Sequence, residues 1–396
     1  YCDNVGLHTR MKKTIHLIAA ARPNFMKVAP LYHVLRRQGW AQPILVHTGQ
    51  HYDVNMSDAF FQDLRLPAPD IHLGVGSGTH AEQTGNVMIA YEKVVLEQQP
   101  DMVVVVGDVN STVACTLAAA KVNFRRPDGD NAESARSSTS GRRPVIAHLE
   151  AGLRSFDRTM PEEINRLVTD VLADILWTPS PDADENLRRE GVAPSKVVRV
   201  GNIMIDSLEM LRGKIEALSV YDEFGLARGE YGVVTLHRPS NVDDPTALKN
   251  LCGILGRVSR KVPLIFPAHP RTRKNLEKMG LLAALVNNGH LLLVEPVSYI
   301  RFMNLVFNCR FVITDSGGIQ EETTYLSIPC LTMRPNTERP ITVEQGTNQL
   351  CRAEEVEQRL EDVLGSDARR GTVPEMWDGK AAERVAESIK TVLQVA

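Results

Sequence analysis

The sequence predicts an α/β protein of two doubly wound domains, each a parallel sheet flanked by helices, facing across a cleft. Three observations carry this. Short apolar runs of strand type alternate with amphipathic stretches of helix type, the signature of βαβ units. The run at 102–106, Met-Val-Val-Val-Val, is continuously apolar, as expected of a strand buried on both faces. The chain has 396 residues, and at roughly one domain per 150 residues two domains fit better than one.

The elements follow in order. Residues 14–18 form a first strand and 23–37 a helix with Pro23 near its start, where a missing N–H is harmless. Residues 43–47 form a second strand. Residues 80–98 carry apolar side chains at helical spacing. Then come a strand (102–106), a helix (110–121), a strand (144–148) and a helix (161–174). Residues 125–143, rich in Ser, Asp, Asn, Gly and Arg, break the rhythm and read as a mobile surface loop. A second series begins after Gly201. Its strands are 231–236, 263–266, 290–294, 310–313 and 330–333, and its helices 245–260, 271–279, 298–307 and 316–326. The boundary is expected near residues 181–201. The chain thus divides into an extension (1–12), a first domain (13–185), a second domain (186–375), and a last helix within 376–396 that folds back on the first.

Composition excludes several classes. Hydrophobic residues make up 43% and charged residues 23%, enough to bury two cores. A net charge of −3 gives no basic face for nucleic acid. No apolar run reaches the roughly 18 residues of a membrane span, and residues 1–10 lack an apolar signal core. Six cysteines (Cys2, Cys115, Cys252, Cys309, Cys330 and Cys351) are scattered without a C-x-x-C pair. They read as reduced core thiols of a cytoplasmic protein. There is no G-x-x-x-x-G-K-[ST] loop, no G-x-G-x-x-G after the first strand, and no metal-ligand spacing. Neither a nicotinamide cofactor nor a metal is expected.

The chemistry concentrates at strand exits, where open parallel sheets bind ligands. Asp315-Ser316-Gly317-Gly318 follows a strand and opens a helix, so free N–H groups and the helix dipole favour a phosphate there. Glycine lets it approach closely. Glu322, on the first turns, suits ribose hydroxyls. Arg22 and Lys27 follow the first strand, His237 and Arg238 the 231–236 strand, and Arg339 the 330–333 strand. Cations at these exits clamp a diphosphate and stabilise it as a leaving group. Asp108 and Glu150 end apolar runs, and Glu162 starts a helix. Carboxylates at such exits lose solvation and exchange protons near neutrality. An acid at position 162 is also an ordinary helix-start preference. His16, His33 and His72 read as structural or exposed.

Taken together, A-R-P-x-x-x-K at Ala21 to Lys27, G-D-x-x-S/T-T at Gly107 to Thr112, H-x-E-A-G-L-R at His148 to Arg154, P-E-E-x-N-R at Pro161 to Arg166, D-S-G-G-I-Q-E-E at Asp315 to Glu322 and Thr337-Glu338-Arg339-Pro340 resemble the non-hydrolysing UDP-N-acetylglucosamine 2-epimerase family. The resemblance runs from about Lys13 to the last helix. It implies two Rossmann-like domains, as in B-type glycosyltransferases, and a cytoplasmic, commonly homodimeric enzyme of polysaccharide biosynthesis. It implies inversion of C2 of a UDP-sugar without metal or cofactor, through anti elimination of UDP to a 2-acetamidoglucal and re-addition. It assigns Asp108, Glu150, Glu162 and His237 to catalysis. It assigns Arg22, Lys27, His237, Ser316, Gly317, Gly318, Glu322 and Arg339 to substrate binding. A related branch acting on UDP-2,3-diacetamido-glucuronate sugars shares most of these motifs, and a hydrolysing epimerase releasing N-acetylmannosamine is a further alternative. Members activated by their own substrate carry H-R-R-E where this chain has His237-Arg238-Pro239-Ser240.

Overall fold

The structure is a computed structural model, and it describes residues 12–49, 58–124, 143–287, 290–365 and 371–395. The expected extension (1–12) and loop (125–143) lie outside these, apart from Lys12 and Arg143.

The chain forms two compact units. One runs to Ser207 and takes in the segment from Asp378 onward; the other is Leu208–Trp377. The first holds a seven-stranded parallel sheet: β1 (Lys13–Ala19), β2 (Ala41–His47), β3 (Ile71–His72), β4 (Met102–Val106), β5 (Val145–Leu149), β6 (Ile175–Thr178) and β7 (Val197–Arg199), in the spatial order 3-2-1-4-5-6-7. The second holds six parallel strands: β8 (Gly232–Thr235), β9 (Leu264–Pro267), β10 (Leu291–Val294), β11 (Phe311–Thr314), β12 (Cys330–Thr332) and β13 (Asn348–Leu350), in the order 10-9-8-11-12-13. Counted from its own first strand, the second sheet repeats the 3-2-1-4-5-6 order of doubly wound nucleotide-binding folds. The predicted α/β class is therefore what the chain adopts.

The strands form where apolar runs are bounded by turns. β4 is buried along all five residues and sits centrally between β1 and β5. The His80–Gln98 helix starts where predicted because Thr79 accepts from Glu82 N while the Glu82 side chain reaches back to Thr79 N. The Pro161–Leu172 helix ends two residues before the predicted stop. Asp174 is drawn off instead to accept from Ile146 N and from Arg143.

The boundary expected near residues 181–201 falls inside the first unit. There β7 pairs with β6, and the chain passes to the second unit at Ser207, within the Ile203–Glu216 helix. The Ala381–Val392 helix packs on the Arg22–Arg37 helix, and Trp177 Nε1 donates to Ser388 Oγ at 2.9 Å. Asp206 accepts from the N–H groups of Ala381 and Ala382, at 3.1 and 2.7 Å. Burial pushes Asp206 up to about 6 despite these bonds.

Each core lies between sheet and helices. The first gathers Val46, Val103, Val105, Ile146 and Leu176 with Tyr91 and Cys115; the second gathers Val234, Leu264, Phe266, Phe311 and Ile313 with Leu255. The five described cysteines are free and buried. His16 is buried, bonded to Tyr91 OH at 3.1 Å and lowered to about 4 by desolvation. His33 bonds Leu64 O at 2.8 Å, and the ring of His72 packs edge-on against His47. No described helix is long and apolar enough to cross a membrane.

Candidate active site

Ligands of doubly wound sheets bind where the strand order reverses. In the first unit that point lies between β1 and β4. Arg22 opens the helix leaving β1, and Asn24 in its first turn donates to Val106 O at 3.1 Å, fastening it to the β4 exit. Lys27, one turn on, forms an ion pair with Glu150 at the β5 exit. Glu150 is 4% exposed, and its second oxygen, Oε1, is buried without a partner among the described residues. Buried carboxylate oxygens are normally bonded. An unsatisfied one beside an ammonium is a place for a donor from outside the chain.

The backbone here is strained. Glu150 has φ 71°, the left-handed region that costs a non-glycine residue roughly 1 kcal/mol or more. Gly107 at the adjoining exit has φ 67°, and a Cβ there would meet Lys27 Nζ at 3.4 Å and Glu150 Oε2 at 3.6 Å. Asp108, next in the chain, pairs with Arg166 at 2.9 Å. The Arg166 guanidinium is buried, also meets Glu163 at 3.2 Å, and keeps Nη2 unpartnered among the described residues.

The two glutamates opening the Pro161–Leu172 helix differ. Glu163 is buried and accepts from Ser155 N, Ser155 Oγ and Phe156 N at 2.9 to 3.0 Å, which closes the preceding loop. Glu162 is exposed.

In the second unit the strand order reverses between β8 and β11. Asp315, fully buried, accepts from the N–H groups of His237 and Arg238 and from Asn241 Nδ2, at 2.9 to 3.1 Å, so it ties the β8 exit to the β11 exit. Burial alone would raise this carboxyl, but the His237 ring, with Asn241 Nδ2 and the Arg238 N–H, holds it below its ordinary value. The His237 ring stays 41% exposed, with Nδ1 at 3.1 Å from Asp315.

Ser316 caps the Gly317–Tyr325 helix. A Cβ on Gly317 would lie 2.7 Å from Glu338 Oε1 and 2.8 Å from Arg339 Nη1, so a larger residue there would push the Glu338–Arg339 pair aside. At Gly318 the space is open. Arg339 is held by Glu338 at 2.5 Å and Glu321 at 2.8 Å, and Glu338 also meets Arg334 at 2.8 Å.

Glu322 is 2% exposed and accepts from Tyr299 OH at 2.6 Å. Burial pushes it up to about 7, with the Tyr299 bond opposing and Glu321 adding. The folded value lies above the ordinary 4.5, so the native state holds an extra proton in between. This group's contribution to stability is full below about pH 4.5 and is lost as pH rises through about 7, on the order of 3 kcal/mol. Glu322→Gln stays neutral. In urea melts it should exceed the parent by about that amount near pH 8 and match it below about pH 4; an offset that does not change with pH would refute the assignment.

The first cluster contains Lys27, Asp108 and Glu150, with Arg22 at the helix start and Glu162 on solvent. The second contains His237, Ser316, Gly317, Glu322 and Arg339. Sequence reasoning missed Arg166, Tyr299, Glu321 and Glu338 as partners. Arg166 stands three residues after Glu163, a helical spacing that could have flagged it. Tyr299 and Glu321 reach Glu322 and Arg339 only through the tertiary fold. Among the described residues no three His, Cys, Asp or Glu side chains converge as a metal site.

Known proteins share this architecture. A family model described as UDP-N-acetylglucosamine 2-epimerase matches residues 33–125 and 129–390. A Methanocaldococcus jannaschii protein named UDP-N-acetylglucosamine 2-epimerase is 39% identical over 380 residues, 94% of this chain and 97% of that one. The Pseudomonas aeruginosa UDP-2,3-diacetamido-2,3-dideoxy-D-glucuronate 2-epimerase is 36% identical over 381 residues, 93% of this chain and 97% of that one. The crystal structure of the M. jannaschii enzyme in complex with UDP-GlcNAc and UDP superposes with a TM-score of 0.81 at 37% identity, covering 96% of this chain and 99% of that one. This chain belongs to the UDP-N-acetylglucosamine 2-epimerase family.

Proposed function

We propose that the protein interconverts UDP-N-acetylglucosamine and UDP-N-acetylmannosamine by eliminating UDP and adding it back. The observation that carries this is Glu150: buried, held by Lys27, with one oxygen unsatisfied at the end of β5. The C2 proton is not next to a carbonyl, so a base alone cannot remove it. The C1–O bond breaks, its electron pair leaves with UDP, and positive charge builds at C1. A carboxylate then takes the C2 proton, and the C–H pair becomes the C1–C2 double bond of a 2-acetamidoglucal. A proton delivered to the other face of C2, with UDP re-adding at C1, completes the inversion.

Each unit has groups suited to one part of this. Asp108, Glu150 and Glu162 in the first are the proton-transfer candidates, with Arg166 setting the direction of Asp108. In the second, the Gly317 helix start and Arg339 suit the diphosphate, and Glu322 the ribose. His237 in the second unit, and Arg22 and Lys27 in the first, are further candidates for steadying a leaving group.

Incubating the protein with UDP-GlcNAc in D2O, with no added metal or nicotinamide, should give UDP-ManNAc deuterated at C2, read by NMR. Free N-acetylmannosamine as the main product would show a hydrolysing epimerase. A second reading, 2-epimerisation of a UDP-2,3-diacetamido-glucuronate sugar, is favoured by the 36% identity to the P. aeruginosa enzyme. It predicts exchange with that sugar and none with UDP-GlcNAc.

A further inference from the structure

His148 is fully buried on β5, two residues before Glu150. Its Nδ1 lies 2.6 Å from Asp170 Oδ1, and its Nε2 lies 2.8 Å from the carbonyl oxygen of Gly107. Both facing atoms are acceptors. The carbonyl has no proton to give. The other Asp170 oxygen already accepts from Gly152 N at 3.0 Å and from the Arg154 guanidinium at 2.7 Å. With an N–H and a guanidinium both donating to that oxygen, Asp170 faces His148 as a carboxylate, an acceptor with no proton to give. A neutral imidazole has one N–H and can satisfy only one of its two neighbours. An unsatisfied pair buried this deeply is costly.

We infer that His148 is a positioning residue held as an imidazolium, donating from both ring nitrogens and so fastening the Gly107–Asp108 turn and the Glu150 strand end to the Pro161–Leu172 helix. The charges then balance. His148 and Arg154 face Asp170 and Glu190, and Glu190 takes Arg154 in two bonds of 2.8 and 2.7 Å. The junction joins every carrier of the first unit's candidate carboxylates. Gly107 precedes Asp108, His148 shares a strand end with Glu150, and Asp170 is on the helix whose first turn carries Glu162. It also braces two left-handed residues, Gly107 and Glu150, at adjoining exits. Proton transfer is sensitive to such placement: a shift of about 1 Å costs up to roughly 10²-fold in rate.

The effect on rate rests on the epimerase reading above; the charge state does not. Two measurements on the full chain separate them. With 15N-labelled histidine, His148 should show two ring N–H protons and imidazolium nitrogen shifts, identified by their loss in His148→Gln. A ring with one proton overturns the inference. Gln can donate to the Gly107 carbonyl but cannot bridge to Asp170. His148→Gln should therefore lower kcat for C2 exchange by about 10²-fold and leave KM and UDP affinity within about threefold. Asp170→Asn should do the same and strip one ring proton, which gives a second route should the glutamine variant fold poorly. An unchanged kcat, or a parallel loss of UDP affinity, overturns the positioning role. Parent protein that shows the imidazolium but exchanges neither UDP-GlcNAc nor the UDP-2,3-diacetamido-glucuronate sugar would refute the epimerase reading instead.

Discussion

Glu150→Gln is expected to reduce solvent-deuterium exchange at C2 by about 10³-fold or more, with UDP affinity kept within about tenfold. The substitution preserves size and the hydrogen-bonding edge but removes the proton acceptor. It also takes away the negative partner of Lys27, an ammonium only 12% exposed. Its groups lie at the β5 and β1 exits of the first unit, whereas the proposed nucleotide contacts at Gly317, Glu322 and Arg339 belong to the second. Rate and nucleotide binding should therefore separate. NMR of the exchange with calorimetric titration of UDP checks this. If affinity collapses along with exchange, Glu150 is a binding or structural residue.

The second large effect is expected at Arg339. Arg339→Ala removes a guanidinium that meets two carboxylates, one of them, Glu321, 1% exposed. Breaking a buried ion pair from one side costs about 3–5 kcal/mol. For a unit of this size that lowers Tm by about 10 °C. UDP should bind about 10²-fold more weakly, because the fork that suits a phosphate is lost. Arg339→Lys should recover little, since an ammonium restores the charge but not the fork that joins Glu321 to Glu338. Thermal melts with and without UDP decide it, and an unaltered ligand-induced rise in Tm would sink the assignment.

The fold was legible wherever one physical signal acted locally. Residues 102–106 are continuously apolar because that strand is central, and Thr79 with Glu82 marks a helix start through its own bonds. β3, β7 and β13 escaped because they are edge strands of two or three residues, too short for any alternation. β6 escaped because its short run, three apolar residues and a threonine, continues from a helix whose end is set by Asp174, and that partner choice is tertiary. The candidate site divides the same way. Asp108, Glu150 and the Asp315 turn stand out because acids and glycines at strand exits are unusual. Their supports do not, because His148 meets Asp170 22 residues away and Arg166 meets Asp108 across 58. No local pattern encodes those pairings.

The Ala381–Val392 helix carries a consequence for biogenesis. Trp177, Asp206 and the Arg22–Arg37 helix all find partners on a segment that the ribosome makes only after the entire second unit. The half synthesised first is thus the half completed last, with its apolar docking surface waiting through about 170 further residues of translation, roughly ten to thirty seconds at typical rates. A nascent chain stalled before residue 378 should leave that surface open to chaperones while the second unit is already whole.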